Sequence, residues 1–303
     1  MSAAARGILI FLAAGLMFTC MDLMAKLLAD RVHLLQTLWF RYAVQALLVT
    51  LLILSRARRV LRTRYPKLQL LRSVCLFAAT VFFFAGYEVL DLAENIAIAQ
   101  IAPFWLTLGG AFILGEKLGR ARLLAVLVGL TGALLIIRPG TEAFTVWALL
   151  PVAGTLCYAG YALATRFVGS DEDVWTSLFY APLFAMVFLT AAVPFAWEPL
   201  IASDWPFLIG IGLFGAAGQL FLIRALSLAE ASVVAPFFYA SFLWAMLLQL
   251  AVFGLWPDAA TVAGALVIVG AGLYVWHREA RAKEPKASEW DSSDRTKAAP
   301  PTG

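Results

Sequence analysis

The sequence predicts an all-α polytopic membrane protein: ten transmembrane helices as two inverted five-helix repeats, with both termini cytoplasmic. Two observations predict this class. Of the 303 residues, 62% are hydrophobic and 14% are charged, and the mean hydropathy is +0.86. Soluble domains average about 45–50% apolar and about 25% charged residues. The apolar residues also form long runs separated by short breaks. A soluble globular fold, a disordered chain and a secreted disulfide scaffold are therefore excluded.

A helix that crosses the bilayer needs about 20 mostly apolar residues. Ten runs meet this condition and are numbered here as spans 1 to 10: 7–28, 34–54, 68–87, 92–114, 121–138, 145–167, 174–196, 206–226, 231–254 and 259–277. After the last run the composition changes to Lys, Glu, Asp, Ser and Pro without an apolar face. Residues 279–303 are therefore predicted to be a disordered cytoplasmic tail.

The positions of Lys and Arg predict the orientation, since cytoplasmic loops carry an excess of both. With a cytoplasmic N-terminus, 18 of the 23 Lys and Arg residues fall in inner segments and two, Arg31 and Arg138, in outer segments. The remaining three lie within spans: Lys26, Arg41 and Arg72. Both termini are therefore predicted to be inside.

The two halves of the chain resemble each other. The segment LAENIAIAQIAPF at 92–104 is similar to LAEASVVAPFF at 228–238, and AVLVGLTGALLI at 125–136 is similar to ALVIVGAGLYVW at 265–276. The repeats are predicted to cover 1–142 (spans 1–5) and 143–278 (spans 6–10). Because five is an odd number, the second repeat enters the membrane upside down. Inverted repeats are typical of alternating-access transporters, whose substrate site lies near the midplane between the halves.

The chain is identified as a member of the drug/metabolite transporter superfamily, in its EamA-type branch of ten-helix bacterial permeases, over residues 7–277. The resemblance rests on the LAE…APF passage, the Gly115-Glu116 pair after span 4, the glycine-rich spans 5 and 10, and the run at 233–254. It implies a secondary transporter of small organic solutes in the bacterial inner (plasma) membrane. Amino-acid-like, nucleotide-like and vitamin-like solutes and drugs all occur as substrates among similar proteins.

Charged residues inside the membrane are the first candidates for a functional site, because they are expensive to bury there. Asp22 and Lys26 share one face of span 1. Asp22 lies about 22 Å along span 1, and Arg41 of span 2 lies at a similar depth, about 10 Å from the outer edge. These three residues are predicted to bind charged groups of the substrate, and Asp22 is also a candidate for carrying a coupling proton. A structural Asp22–Arg41 ion pair is the alternative.

Spans 4 and 9 contain the second group of candidates. Pro103 and Pro236 lie at equivalent positions of the two repeats. Proline interrupts helical hydrogen bonds, and such breaks are tolerated where they face a cavity. These spans are predicted to line the pathway with Gln100, Trp105 and Tyr239, the alternative being plain packing kinks and lipid-facing rings.

The third group consists of charges near span ends. Glu94 suits the positive end of the helix that begins span 4, as a cap or, alternatively, a gating residue. Arg224 and Glu230 flank the inner turn between spans 8 and 9, where a closing salt bridge is predicted as one option. Arg72 lies about 6 Å from the cytoplasmic end of span 3 and is predicted to snorkel to lipid headgroups.

Several partner and cofactor classes have no support in the sequence. There is no P-loop, dinucleotide fingerprint or nucleophile elbow, and no metal-ligand spacing among His and Cys, so no cofactor, metal or catalytic residue is predicted. The basic segment 56–67 is predicted to bind anionic lipid and not nucleic acid. Spans 5 and 10 are predicted to be packing elements, with a homodimer surface as a second interpretation. A scaffold or accessory subunit and an intramembrane enzyme are the alternative functions.

Overall fold

The computed structural model describes residues 3–54, 60–114, 120–138, 145–168, 172–228, 237 and 239–282, and the regular structure in these ranges is helical throughout. The α-helices are α1 (Ala3–Leu28), α2 (Leu34–Ile53), α3 (Pro66–Val89), α4 (Leu92–Ala99), α5 (Ala102–Leu114), α6 (Arg120–Ile137), α7 (Leu149–Val168), α8 (Val174–Ala192), α9 (Trp205–Leu228), α10 (Ala240–Phe253) and α11 (Ala259–Ala282). Short 3₁₀ turns at Val146–Ala148 and Val193–Ala196 adjoin α7 and α8.

Six helical segments in the described residues are long and apolar enough to cross a membrane. They belong to α1, α2, α3, α7, α8 and α9, which correspond to predicted spans 1, 2, 3, 6, 7 and 8. The helix ends agree with those spans to within four residues. Spans 5, 9 and 10 contain the shorter apolar helical segments Leu127–Ile137, Ala240–Phe253 and Ala259–Tyr274. Helix α11 continues to Ala282, and the rest of the predicted tail lies outside the described residues.

Local sequence signals account for the helix ends. The His33 ring nitrogen accepts a hydrogen bond from the Leu35 backbone N–H (3.2 Å) at the start of α2. The Asp173 carboxylate caps α8 in the same way. Pro66 occupies the first turn of α3, where a missing N–H is harmless. Gly254 ends α10 in the left-handed conformation (φ 66°), which glycine adopts without strain.

Span 4 is not one continuous helix. It divides into α4 and α5 at Gln100 and Ile101, where the backbone uses short i→i+3 hydrogen bonds such as Phe104 N–H to Ile101 C=O (2.9 Å). Pro103 lies in the first turn of α5, immediately after the break. The proline therefore starts a new helix rather than bending an old one, because a first turn requires no N–H from this position.

Helix packing relates the two halves of the chain. The helices of spans 1 and 8 pack together, as do those of spans 3 and 6. Spans 2 and 8 also pack together, as do spans 3 and 7. Spans 1 and 9 pack together, as do spans 4 and 6. The pairs 2–7, 4–9 and 5–10 also pack together. Exchanging spans 1–5 with spans 6–10 converts the first six pairs into one another and leaves 2–7, 4–9 and 5–10 unchanged, so the packing is pseudo-symmetric.

Helices α6 and α11 approach each other closely at two glycines. A Cβ added to Gly132 would lie 2.7 Å from the Gly264 carbonyl oxygen, and one added to Gly264 would lie 2.5 Å from the Gly132 carbonyl oxygen. By contrast, Gly129 and Gly270 have no neighbouring atom that an added Cβ would meet within 4 Å. Small residues at helix contacts in membranes permit this backbone approach. The predicted packing role of spans 5 and 10 thus has a defined contact within one chain.

An ion pair joins the same two helices outside the membrane-spanning segments. Arg138 follows α6 with φ 50°, and its guanidinium donates to the Asp258 carboxylate, which also accepts from the Thr261 backbone N–H (2.8 Å). Partial burial alone raises the pKa of Asp258. The hydrogen bonds from Arg138 and Thr261 outweigh this effect, and the pKa is lowered. Asp258 therefore both caps α11 and connects it to α6.

We expect the protein to lose stability as the pH falls through the acid range, and part of this loss to depend on Asp258. A carboxylate with a lowered folded-state pKa contributes stability above its ordinary pKa of about 3.9, and that contribution disappears on acidification. Thermal unfolding of detergent-purified Asp258→Asn should therefore show a weaker pH dependence between about pH 5 and 3 than wild type. Arg138→Gln should weaken it similarly, and unchanged pH dependence in both variants would rule out this contribution.

Candidate functional site

A polar cluster lies among the helices of the first half of the chain. It contains Asp22 of α1, Arg41 of α2, Tyr87 of α3 and Asn95 of α4. Tyr87 lies beside both Asp22 and Asn95, and Asp22 interacts electrostatically with Arg41. Tyr87 and Asn95 are buried, whereas Asp22 and Arg41 keep part of their surface accessible. This cluster is named the central polar site.

Aromatic rings hold the Arg41 guanidinium in place. Its carbon lies 4.9 Å from the Tyr42 ring centroid and 5.3 Å from the Phe84 ring centroid. One terminal nitrogen donates to the Tyr42 hydroxyl (3.3 Å), which itself donates to Thr80 (2.8 Å). The buried Nε has no hydrogen-bond partner. Cation–π contacts orient the guanidinium without neutralising its charge.

Asp22 and Arg41 are close enough to interact, yet no direct ion pair joins them. Among the described residues, Arg31 pairs with Asp204 and Arg138 pairs with Asp258, and neither pair involves Asp22 or Arg41. The sequence predicted the two residues at one depth on neighbouring helices, and the structure brings them into one cluster. The direct ion pair that was the alternative to substrate binding is not formed; Asp22 lies beside Tyr87, and Arg41 contacts aromatic rings.

The second half of the chain contacts the central polar site through α9. A Cβ added to Gly215 would lie 3.1 Å from the Met21 sulfur and 3.9 Å from Arg41 Nε. Helix α9 can therefore approach α1 and α2 closely where the polar cluster lies. The site adjoins the contact between the two halves of the chain.

The other predicted charges near this site occupy helix ends. Lys26 lies half-buried in the last turn of α1, where a cation stabilises the helix dipole. Glu94 lies in the first turn of α4, as predicted, and its carboxylate faces the Asp91 backbone N–H. Glu94 also lines a small acidic pocket with Asp91, Gln249, Pro257, Asp258 and Thr261.

Gln100 and Trp105 connect span 4 to the second half. The buried Gln100 amide donates to the Ser241 hydroxyl of α10 (2.9 Å), and its Oε1 has no hydrogen-bond partner. The Trp105 indole N–H donates to Thr155 of α7 (3.0 Å). Both side chains therefore lie at contacts between the halves, beside the break that precedes Pro103.

The predicted residues of spans 8 and 9 are only partly described. Tyr239 immediately precedes α10, and its hydroxyl packs so closely on α11 that a Cβ on Gly272 would overlap it. Arg224 lies near the end of α9 with an exposed side chain. Pro236 and Glu230 lie outside the described residues, so the predicted salt bridge of Arg224 with Glu230 is not described either.

Arg72 is the residue that sequence reasoning placed wrongly. It does not snorkel: its side chain is 3% exposed and hydrogen-bonds to Gln69, Thr165 and Ser177. These contacts lie between α3, α7 and α8. A signal was present in the sequence, because Gln69, Arg72 and Ser73 recur at helical spacing and so form a polar face suited to protein contact.

The features above define a class of protein. At least six helices can cross a membrane, and they enclose a cluster that includes charged side chains, which in membrane helices mark substrate and ion pathways. No group of His, Cys, Asp and Glu among the described residues could hold a metal ion. The three cysteines are half-buried free thiols. This is the architecture of a polytopic membrane transporter.

The chain belongs to the EamA-like transporter family, whose family model matches residues 5–138 and 145–276. It is 30% identical to the pseudopaline exporter CntI of Pseudomonas aeruginosa, covering 87% of this chain and 93% of the relative. It is 31% identical to a riboflavin transporter of Vibrio cholerae (87% and 90% covered) and 24% identical to an S-adenosylmethionine uptake transporter of Rickettsia prowazekii (92% and 95% covered).

A solved crystal structure has the same fold. It aligns with a TM-score of 0.63 at 21% identity, over 92% of this chain and 99% of the other. The family and the relatives are transporters and not enzymes. The protein is thus a multi-pass inner-membrane transporter of small solutes. One relative is an exporter and another an uptake transporter, so both directions of transport occur among the proteins that this chain resembles.

Proposed function

We propose that the protein is a secondary active transporter that moves a small organic solute across the inner membrane by alternating access. In this proposal ten spans form two inverted repeats, at 1–142 and 143–278, with both termini and the tail cytoplasmic. The pseudo-symmetric packing of spans 1–5 against spans 6–10 supports the repeats, as do the two separate family matches. The distribution of Lys and Arg supports the orientation.

The solute binds at the central polar site, with its anionic group at Arg41 and its cationic or donor group at Asp22. The observation that carries this assignment is that two opposite charges lie in one cluster without a direct ion pair between them. A structural ion pair would close directly, because each charge then offsets the desolvation of the other. Charges that are held apart by aromatic and hydroxyl contacts are available to a ligand instead.

Three further features extend the pathway in this proposal. Lys26 attracts anionic groups at the outer end of α1. Gln100 and Trp105 lie at the break before Pro103, where span 4 contacts α7 and α10. Tyr239 and Pro236 occupy the equivalent part of span 9. Breaks of this kind let half-helices move when one half of a transporter rocks against the other.

Asp22 also carries the coupling proton in this proposal. A carboxylate beside a neutral hydroxyl and a fixed guanidinium can alternate between solute binding and proton binding as the site changes its exposure. Proton binding to Asp22 would then accompany movement of the empty carrier, which makes solute flux depend on the pH gradient. Facilitated diffusion is the competing outcome of the test below.

Flux into proteoliposomes tests the proposed function. The purified protein is reconstituted and offered a panel of labelled amino acids, nucleotides, vitamins and S-adenosylmethionine, with and without a proton gradient. We expect saturable flux of one or a few related solutes, accelerated by the gradient. Flux that ignores the gradient would contradict coupling alone. Protein-dependent flux of no solute under either condition would contradict the transporter mechanism.

Two surface interactions complete the proposal. The exposed basic residues Arg62, Arg64 and Lys67 adjoin α3 at its predicted cytoplasmic end and suit anionic lipid headgroups. The rest of the predicted lipid-binding segment, 56–59, lies outside the described residues. Gly129 and Gly270 leave open space on α6 and α11, where a second copy could pack to form a homodimer.

A further inference from the structure

A second polar network lies near the start of α3, at its predicted cytoplasmic end and away from the central polar site. The Glu172 carboxylate, between α7 and α8, accepts hydrogen bonds from the Thr63 hydroxyl (2.6 Å), the Arg64 backbone N–H (3.3 Å) and the Gln69 amide (3.2 Å). The Gln69 oxygen in turn accepts from Arg72 (3.0 Å). Arg72 and Tyr87 are 15 residues apart on α3, or about 22 Å.

Arg72 is bound on its remaining sides by neutral groups. Its Nε donates to Thr165 of α7 (2.9 Å), a terminal nitrogen donates to Ser177 of α8 (2.8 Å), and its carbon lies 5.4 Å from the Tyr161 ring centroid. Gln69 links Arg72 to the Glu172 carboxylate, because the Gln69 side-chain oxygen accepts from Arg72 and its nitrogen donates to Glu172. The hydrogen bonds of Arg72 and of Glu172 are therefore coupled through Gln69.

The network crosses from one half of the chain to the other. Thr63, Arg64, Gln69 and Arg72 belong to the first half, whereas Thr165, Glu172 and Ser177 belong to the second. One further hydrogen bond joins the two halves, from the Ser73 hydroxyl to the Tyr180 carbonyl oxygen (2.5 Å). Separation of α3 from α7 and α8 would leave the buried Arg72 guanidinium and the buried Glu172 carboxylate without these partners. The hydrogen bonds of the network are therefore expected to break together.

The outer end has its own contacts between the halves, among them the Arg138–Asp258 ion pair and the hydrogen bond from the Ala93 backbone N–H to the Gln249 side-chain oxygen (2.8 Å). There the pseudo-symmetric contact, between the turn after α1 and the segment before α9, contains an Arg31–Asp204 ion pair at 3.7 Å whose arginine is 43% exposed. Exposed ion pairs contribute little. This outer contact, the counterpart of the cytoplasmic network, is therefore the weaker of the two.

We propose that the Arg72–Gln69–Glu172 network is the cytoplasmic latch of the transporter, which must break for the central polar site to open to the cytoplasm. The proposal rests on the proposed alternating access and on the orientation given above. Because the latch is buried and the outer contact is exposed, the resting protein is closed on the cytoplasmic side. Weakening the latch shifts the population toward the cytoplasm-open state.

A native thiol next to the latch can report this opening. Cys75 is half-buried on α3, three residues after Arg72, and faces α7 at Gly160. The neighbouring Cys157 and the distant Cys20 are replaced by serine, which leaves Cys75 as the single thiol. The rate of its reaction with a membrane-impermeant maleimide is measured in inside-out membrane vesicles, whose cytoplasmic face is outward. No solute is needed.

We expect Glu172→Gln and Gln69→Ala each to raise the labelling rate of Cys75 about tenfold, as loss of a charge-assisted hydrogen bond shifts a two-state equilibrium by roughly that factor. Arg31→Ala, at the outer end, is the matched control and should leave the rate unchanged or lower it. Because Glu172 and Arg72 act on one network, their effects on the labelling rate should not multiply. The double variant Glu172→Gln/Arg72→Gln should therefore be labelled only slightly faster than Glu172→Gln alone.

Two outcomes would overturn the latch. The first is that Cys75 reacts at the same rate in Glu172→Gln and Gln69→Ala as in the unsubstituted single-thiol protein. Absence of labelling in all three proteins counts as this outcome. The other is an equal rise in Arg31→Ala. The amount of each variant in the vesicles and its thermal unfolding identify any variant that fails to fold. The labelling rate of the variant that does fold then tests the latch. Solute flux with an unresponsive Cys75 refutes the latch alone, whereas a responsive Cys75 without flux refutes the proposed solute site.

Discussion

Asp22→Asn abolishes solute flux while the protein still inserts, folds and binds detergent as wild type does. Asparagine has nearly the volume of aspartate, so packing among α1, α2 and α3 is preserved. It has no charge to offer a cationic group and no proton to exchange. If the carboxylate contributes both, flux into proteoliposomes should fall at least about 100-fold, as expected when a charged partner is removed from a buried site.

The control for this variant is Asp30→Asn, which makes the same chemical change two turns further along the chain. Asp30 is exposed in the turn after α1. Its flux should remain within about twofold of wild type, because exposed charges at this distance are screened. Equal thermal unfolding of both variants and wild type shows that the fold is retained. Wild-type flux in Asp22→Asn would clear Asp22 of any essential role.

Gly132→Ala lowers the free energy of unfolding by about 1–3 kcal/mol, the usual penalty for overpacking a close contact. The added methyl would lie 2.7 Å from the Gly264 carbonyl oxygen and 2.8 Å from an Ile268 side-chain carbon. A backbone oxygen cannot rotate away as a side chain can, so α6 and α11 must separate. Chemical unfolding of the purified protein in mixed micelles measures the change.

The same helix supplies the matched control for this substitution. Gly129→Ala adds an identical methyl group one turn earlier, where no atom lies within 4 Å. Its effect should be neutral, or stabilising by up to about 1 kcal/mol, because alanine favours helix more than glycine does. A Gly132→Ala protein as stable as Gly129→Ala would mean that α6 and α11 do not cross at these glycines.

Much of the fold could be predicted from the sequence, because a bilayer imposes strict lengths on apolar helices. The ends of α2 and α9 fall within two residues of spans 2 and 8, since charged and capping residues mark them. The break in span 4 was signalled by Pro103. The position of the break could not be predicted, because α4 ends before Gln100, ahead of the proline, through local backbone hydrogen bonds that do not depend on residue type.

The site was predictable in composition but not in contacts. Depth alone brought Asp22 and Arg41 together, because both positions follow from counting residues along neighbouring spans. The aromatic rings of Tyr42 and Phe84 that hold Arg41 could not be assigned, since facing directions depend on helix rotation. Arg72 was misjudged for a related reason: its short distance to the cytoplasmic end suggested headgroups, whereas α7 and α8 cover it from the other half of the chain.

Equilibrium binding of the solute with the highest flux tests the central claim most directly. The purified protein is titrated by calorimetry as wild type, Arg41→Gln and Asp30→Asn. We predict that Arg41→Gln weakens binding by about tenfold to a hundredfold, the effect of removing a charge-assisted hydrogen bond. Asp30→Asn should bind as wild type. Wild-type affinity in Arg41→Gln, with the protein folded, would contradict the assignment of the central polar site as the solute site.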